Sequence, residues 1–143
     1  MFTPENESLS EIHSLIAVMK ALSTWSAHKG INECRQACGG LGYSYYSRFP
    51  ILQRETDIAQ TWEGDNTLLL QQTGKYLLET MKRKISLPSY KTITCEWISD
   101  VPVEGEVCLA KTETDLLKPK NLIKAFRFKA NILLHRAGVI LFQ

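Results

Sequence analysis

The 143-residue chain has no apolar run near the length of a membrane-spanning helix. Its first residues also lack the charged, apolar and small-residue succession of a secretory leader. Charge of one sign is missing as well. A formal net charge of +2, from 17 basic and 15 acidic residues, gives no electrostatic case for nucleic acid or a membrane surface as partner. Cysteine is scarce: Cys34, Cys38, Cys95 and Cys108 show no zinc spacing, which points to reduced thiols and no metal site. Leu141-Phe142-Gln143 is not a C-terminal address of the Ser-Lys-Leu type. Internal repeats and low-complexity tracts are absent. What is left is 44% hydrophobic and 22% charged, an ordinary globular composition of one domain's length, so the expectation is a soluble intracellular protein.

Hydrophobic spacing supplies the first positive signal. Leu9, Ile12, Leu15, Ile16, Met19 and Leu22 recur at helical intervals, and Trp25 extends the stripe. The pattern predicts one amphipathic helix that buries this face, opened by a Ser8–Glu11 capping box and closed before Gly30. Residues 1–7 are polar and are expected to fray. His13 and His28 have no partner at ligand spacing and read as solvent-facing or hydrogen-bonded side chains. Beyond Gly30, Ile31 to Cys38 allow a second, shorter helix with Cys34 and Cys38 on one face. Helix geometry disfavours a disulfide there, so both are read as small buried thiols.

Three of the eight glycines then fall within four residues, Gly39-Gly40-Leu41-Gly42. Such a run ends a helix, because each glycine adds backbone entropy and opens conformations closed to other residues. Two uses stay open. The run is a tight turn and nothing more, or it lets backbone N–H groups approach the phosphates of a ligand. Rossmann and P-loop patterns both fail here, with no strand before the glycines and no Gly-Lys-Ser/Thr after them.

Tyr43 to Thr56, with Pro50 inside, reads as a loop with one short helical turn near Ser44, and Asp57 to Trp62 leads towards the next helix. That helix is expected over Leu68 to Lys84, capped by Asn66 or Asp65, with Leu69, Tyr76 and Met81 on its apolar face and a basic end at Lys82-Arg83-Lys84. At its mouth stands Glu63, between Trp62 and Gly64. An aromatic neighbour that desolvates the carboxylate would raise its pKa into the range of a useful base. The plainer reading, an acid placed where the helix dipole favours it, weighs more on the residues alone. Pro88 breaks the chain. Thr92 to Glu106 reads as a short strand or a loop, and Pro119 opens a last helix whose apolar face carries Leu122, Ile123, Phe126, Ala130, Leu133 and Leu134. Val139 to Phe142 makes an apolar end that reads as an interrupted helix. The fold class expected is all-α, a bundle of about four helices.

Two runs carry a resemblance. Cys34-Arg35-Gln36-Ala37-Cys38-Gly39-Gly40-Leu41-Gly42-Tyr43 resembles one signature of the peroxisomal acyl-CoA oxidases. Thr61-Trp62-Glu63-Gly64-Asp65-Asn66 with Leu70-Gln71-Gln72-Thr73 resembles their second. The order and separation of the two also match the related acyl-CoA dehydrogenases. Two departures stand out: Leu41 where the oxidases usually carry histidine, and Trp62 in place of Tyr or Phe.

The resemblance implies a C-terminal helical fragment of a fold that elsewhere adds an N-terminal helical domain and a middle β-domain, neither of which this chain holds. It further implies two C-terminal helical regions, 1–86 and 87–143, the first with both motifs. Gln36, Gly39 and Gly40 then fall where relatives contact FAD, often that of a partner subunit in a homodimer. Asp65 and Thr67 fall near other cofactor contacts. Glu63 matches the catalytic base, which removes the α-proton of an acyl-CoA while the β-hydride passes to flavin, with O2 as final acceptor and hydrogen peroxide as product. Its backbone N–H would polarise the thioester carbonyl. A peroxisomal location is implied by the resemblance alone, and the last three residues leave a cytosolic one open. The alternative to an oxidase is a catalytically silent helical module that acts only through protein association.

Overall fold

No proline interrupts the sequence between Pro4 and Pro50, and one helix takes most of that span. The computed structural model describes residues 4–87, 89–99 and 110–141. Helix α1 runs over Pro4–Ala37 without a break. The expected stop at Gly30 does not occur: a glycine inside a helix costs about 1 kcal/mol relative to alanine, too little to end a helix that tertiary packing supports on both sides. Ser8 therefore lies inside α1 and cannot be its cap, and Glu11 is buried.

The glycine run follows. Gly39, at φ 56°, ends α1, and a single turn α2 covers Gly40–Tyr43. A 3-10 turn, Tyr45–Ser47, closes on Arg48, which itself takes a left-handed φ of 60°. The segment expected to be a loop is instead mostly helix α3, Phe49–Asp57. Pro50 sits in its first turn, where a missing N–H costs nothing. A second 3-10 turn, Ile58–Gln60, leads to α4, Asn66–Ser86. Past it come a 3-10 turn Glu96–Ser99, the short α5 Glu113–Leu116 and α6 Pro119–Leu141, which Pro119 opens as expected. The described residues contain no strand, so the all-α expectation holds. The remainder of the strand-or-loop stretch, with Pro102 and Gly105, and the ends at residues 1–3 and 142–143 lie outside the described residues, as do Pro88 and Cys108.

Contacts divide the chain into two compact units, Met1–Tyr76 and Leu77–Gln143, with the division inside α4. In the first, the core differs from the expected one. Leu9, Ile16 and Met19 are 66%, 60% and 62% exposed, and Ile12, Leu15, Leu22 and Trp25 are exposed too, whereas Ser14, Ala17 and Ala21 are buried. The first part of α4 packs on this small-residue face. Thr73 Oγ1 donates to the Ser14 carbonyl at 3.3 Å, and Asn66 Nδ2 donates to Thr24 Oγ1 at 2.9 Å. Small side chains let two helix backbones approach closely, and contact distance depends on the residues at the crossing. Farther along the same stripe of α1 lies α3, with the Gln53 amide 3.4 Å from Asn32 Oδ1 and Asp57 3.9 Å from His28 Nδ1. Cys34 and Cys38 are exposed free thiols, which corrects their reading as buried packing residues.

In the second unit, Met81, Cys95, Ile98 and Leu134 are buried. The basic end of α4 does more than meet the dipole: Lys84 is buried and donates to the Cys95 carbonyl at 2.7 Å. On α6 the inward line is Asn131, Leu134 and Gly138, with the Asn131 amide donating to the Trp97 carbonyl at 2.7 Å. Of the apolar residues expected to cover that face, Ile123, Phe126 and Leu133 are exposed.

Candidate active site

All of the candidate site residues fall in the first unit, on two separate turns. The glycine turn is shaped by its neighbours in two different ways. A Cβ on Gly42 would fall on the Arg35 carbonyl oxygen and 2.9 Å from its carbonyl carbon, so only glycine fits where α2 folds back on α1. Arg35 is itself buried, with one amino group bonded to Asn32 Oδ1 at 2.9 Å and its guanidinium 4.4 Å over the Tyr43 ring. Gly39 and Gly40, by contrast, have nothing within 4 Å of where a Cβ would stand. Both are exposed, as is Gln36 on the last turn of α1. The N–H groups of Gly40 and Leu41 make no hydrogen bond among the described residues. An open backbone with free donors fits an extended phosphate-bearing cofactor such as FAD.

The second turn carries Glu63. Trp62 N–H closes onto the Ile58 carbonyl at 2.9 Å, and the chain then turns through two left-handed residues, Glu63 at φ 57° and Gly64 at φ 107°. For an L-residue such as Glu63 that conformation costs roughly 1–2 kcal/mol. Gly64 is favoured by its φ, and a Cβ there would meet the Leu69 side chain at 3.0 Å, so that side chain would have to shift. Glu63 and Trp62 are both exposed, so the desolvation expected from the indole is not in place in this chain. The Glu63 N–H has no hydrogen-bond partner among the described residues.

Asp65 starts α4. Its Oδ1 accepts from Thr67 N–H at 2.9 Å and from Leu68 N–H at 3.3 Å, which decides the capping alternative for Asp65 over Asn66. Asn66 turns inward and is 2% exposed. Thr67 is exposed with its hydroxyl unpaired among the described residues. One participant escapes a reading of the sequence altogether. Lys20 Nζ, from the middle of α1, donates to the Gly64 carbonyl at 2.7 Å and to Asn66 Oδ1 at 2.8 Å.

The structure does not bring the two turns together. The Glu63 turn is tied to α1 at Lys20 and Thr24, and the glycine turn begins after Ala37. Thirteen steps of unbroken helix at about 1.5 Å each separate Thr24 from Ala37, roughly 20 Å. Among the described residues no group of three or more His, Cys, Asp or Glu could hold a metal, and no helix is long and apolar enough to cross a membrane.

Both turns lie inside residues 1–78, which match the family model described as acyl-CoA oxidase, C-alpha1 domain. The chain belongs to the acyl-CoA oxidase family. Peroxisomal acyl-coenzyme A oxidase 1 of Homo sapiens is 33% identical over 136 residues, 91% of this chain and 20% of that protein. Peroxisomal acyl-coenzyme A oxidase 3 of Homo sapiens is 45% identical over 75 residues, 52% of this chain and 11% of that protein. Among solved structures, acyl-CoA oxidase 1 of Arabidopsis thaliana superposes with a TM-score of 0.82 at 29% identity, over 92% of this chain and 20% of that one. The chain thus spans about a fifth of the length of the oxidases it matches, and its fold is that of a helical segment of them.

Proposed function

We propose that the chain is the C-terminal helical portion of an FAD-dependent acyl-CoA oxidase of fatty-acid β-oxidation, with Glu63 as its catalytic base. One observation carries this reading. A carboxylate stands on a solvent-open left-handed turn, a type of strained conformation that clusters at active sites, beside a glycine and with its own N–H free. Glu63 takes the α-proton of the acyl-CoA thioester as the β-hydride departs. Its N–H donates to the thioester carbonyl oxygen and stabilises the charge that develops there. FAD, held by Gln36, Gly39 and Gly40, would supply the hydride acceptor there, and O2 would reoxidise it by taking the two electrons and proton of that hydride together with the α-proton released from Glu63, to give hydrogen peroxide.

Gln36, Gly39 and Gly40 would hold the cofactor through their open backbone and exposed amide, with Asp65 and Thr67 as lesser contacts at the other turn. The distance between the turns along α1 supports a homodimer, in which the glycine turn of one subunit meets the cofactor of its partner. Residues 1–86 and 87–143 form two successive helical regions of this portion. A peroxisomal setting follows from the relatives, which are named as peroxisomal enzymes.

The direct test loads the purified chain with FAD, passes it through gel filtration and reads its visible absorbance. Co-eluting flavin that bleaches with a long-chain acyl-CoA supports a working site; colourless protein removes flavin retention from this portion by itself. In the flavin-loaded oxidase carrying this segment, Glu63→Gln is expected to lower turnover by about 100-fold or more with flavin retained. Near-normal turnover would take the base role from Glu63.

A further inference from the structure

We propose that Lys20 is the positioning residue of the Glu63 turn. Its ammonium clamps the carbonyl of Gly64 and the amide of Asn66 against α1, and so holds the left-handed pair that aims the carboxylate. The catalytic part of this inference rests on the reading of Glu63 as base; the clamp itself does not. Three observations carry it. First, the two bonds at 2.7 and 2.8 Å are short for N–H···O contacts, as befits a charged donor. Second, among the described residues Lys20 makes the one hydrogen bond from another element onto residues 61–65; the other bonds there are local, Thr61 and Trp62 back to Ile58 and Asp65 forward into α4. Third, the clamp is closed on its far side. Asn66, whose oxygen accepts from Lys20, gives its amide hydrogens to Thr24 Oγ1 at 2.9 Å and to the Ala21 carbonyl at 3.5 Å, and Thr24 Oγ1 donates back to the Lys20 carbonyl at 2.9 Å.

A left-handed glutamate persists only where its surroundings over-determine it. Here the turn is gripped before Glu63 by Trp62 and after it by Lys20. Removing the second grip frees Gly64, whose lack of a side chain opens the widest range of conformations, and with it the direction of the neighbouring carboxylate. A misplacement of about 1 Å in a catalytic group can lower the rate by about 100-fold.

The test compares Lys20→Met, which keeps the alkyl stem and removes the charge, with Lys20→Arg, which keeps the charge. In 15N-labelled chain, Lys20→Met is expected to shift or broaden the Gly64 amide resonance and the Asn66 side-chain pair. Gly30 and Gly74, which have no neighbour within 4 Å of where a Cβ would stand, should be unmoved. Lys20→Arg should keep the Gly64 resonance near its original position. In the flavin-loaded oxidase, Lys20→Met should lower kcat at least tenfold with KM and flavin content within about twofold, and Lys20→Arg should recover much of the loss. An unmoved Gly64 resonance in Lys20→Met overturns the clamp. A moved resonance with kcat unchanged overturns the positioning role. A Glu63→Gln oxidase that keeps its turnover strikes the base assignment instead, and leaves the Gly64 result standing.

Discussion

Three neighbouring glycines should respond to the same substitution in three different ways. At Gly40, a helical residue with nothing within 4 Å of a Cβ, alanine adds no contact and removes unfolded-state entropy, a gain of about 0.5–1 kcal/mol. At Gly39, also open but at φ 56°, alanine enters the left-handed region at a cost of roughly 1–2 kcal/mol. At Gly42 a Cβ would meet the backbone of Arg35, which cannot rotate away as a side chain would. Overpacking costs of about 1–3 kcal/mol apply to side chains that yield, so a loss of about 3 kcal/mol or more is expected. Arg35 would move with it, and its stacking on Tyr43 would be lost. For a chain of this length about 3 °C accompanies each kcal/mol. Thermal melts followed by far-UV circular dichroism should then place Gly40→Ala about 2 °C above the parent, Gly39→Ala about 5 °C below it, and Gly42→Ala about 9 °C or more below. A Gly42→Ala chain that melts with Gly40→Ala would refute the steric argument. Flavin binding adds a second axis: if Gly40 offers its bare backbone to the cofactor, Gly40→Ala should gain stability and lose flavin together.

The inverted core of α1 gives a sharper contrast. Ile16 is 60% exposed, so Ile16→Ser should cost roughly 1 kcal/mol or less, whereas Ala21→Leu, at a position 0% exposed, should cost about 1–3 kcal/mol; urea midpoints compare the two, and the reverse order would restore the hydrophobic stripe as the buried face. Lys118 Nζ, 2.6 Å from Asp115 Oδ1, and the Thr112 hydroxyl hold the Asp115 carboxyl below its ordinary 3.8. A lowered folded value means the contribution to stability is present above that ordinary value and lost as pH falls through the lowered one. A side-chain NMR titration should find Asp115 below 3.8, and Lys118→Met should return it towards 3.8; an unchanged midpoint in that variant would remove the lysine as cause.

Much of the secondary structure is legible in the sequence because its signals are local. Pro119 opens α6 at the position where its missing N–H is harmless, and Asp65 caps α4 through its own side chain, two residues from its partner. The stretch from Phe49 to Asp57 reads as a loop yet folds as a helix, because Pro50 looks the same in the sequence whether it breaks a helix or begins one. Gly30 reads as a stop for a related reason: its local cost is small, and packing along the rest of α1 outweighs it. Of the site, the motifs around Gly39 and Glu63 are visible as residue patterns. Lys20 is not, since nothing in its neighbours on the chain distinguishes it from any other helical lysine.

By itself, the sequence determined that the chain is helical, where α6 begins and, to within two residues, where α4 does, and which family its two motifs belong to, because each of these depends on residues close together in the chain. Tertiary structure alone decided which face of α1 turns inward. Amphipathic spacing marks the large apolar side chains, but close approach of α1 and α4 selects Ser14, Ala17 and Ala21, which take up little room and leave backbone and hydroxyl groups within hydrogen-bonding reach. It also decided the left-handed turn at Glu63, where a lysine far earlier in the chain donates to the Gly64 carbonyl. And it set the two motifs, close in sequence, at opposite ends of some 20 Å of helix, because α1 continues straight through Gly30.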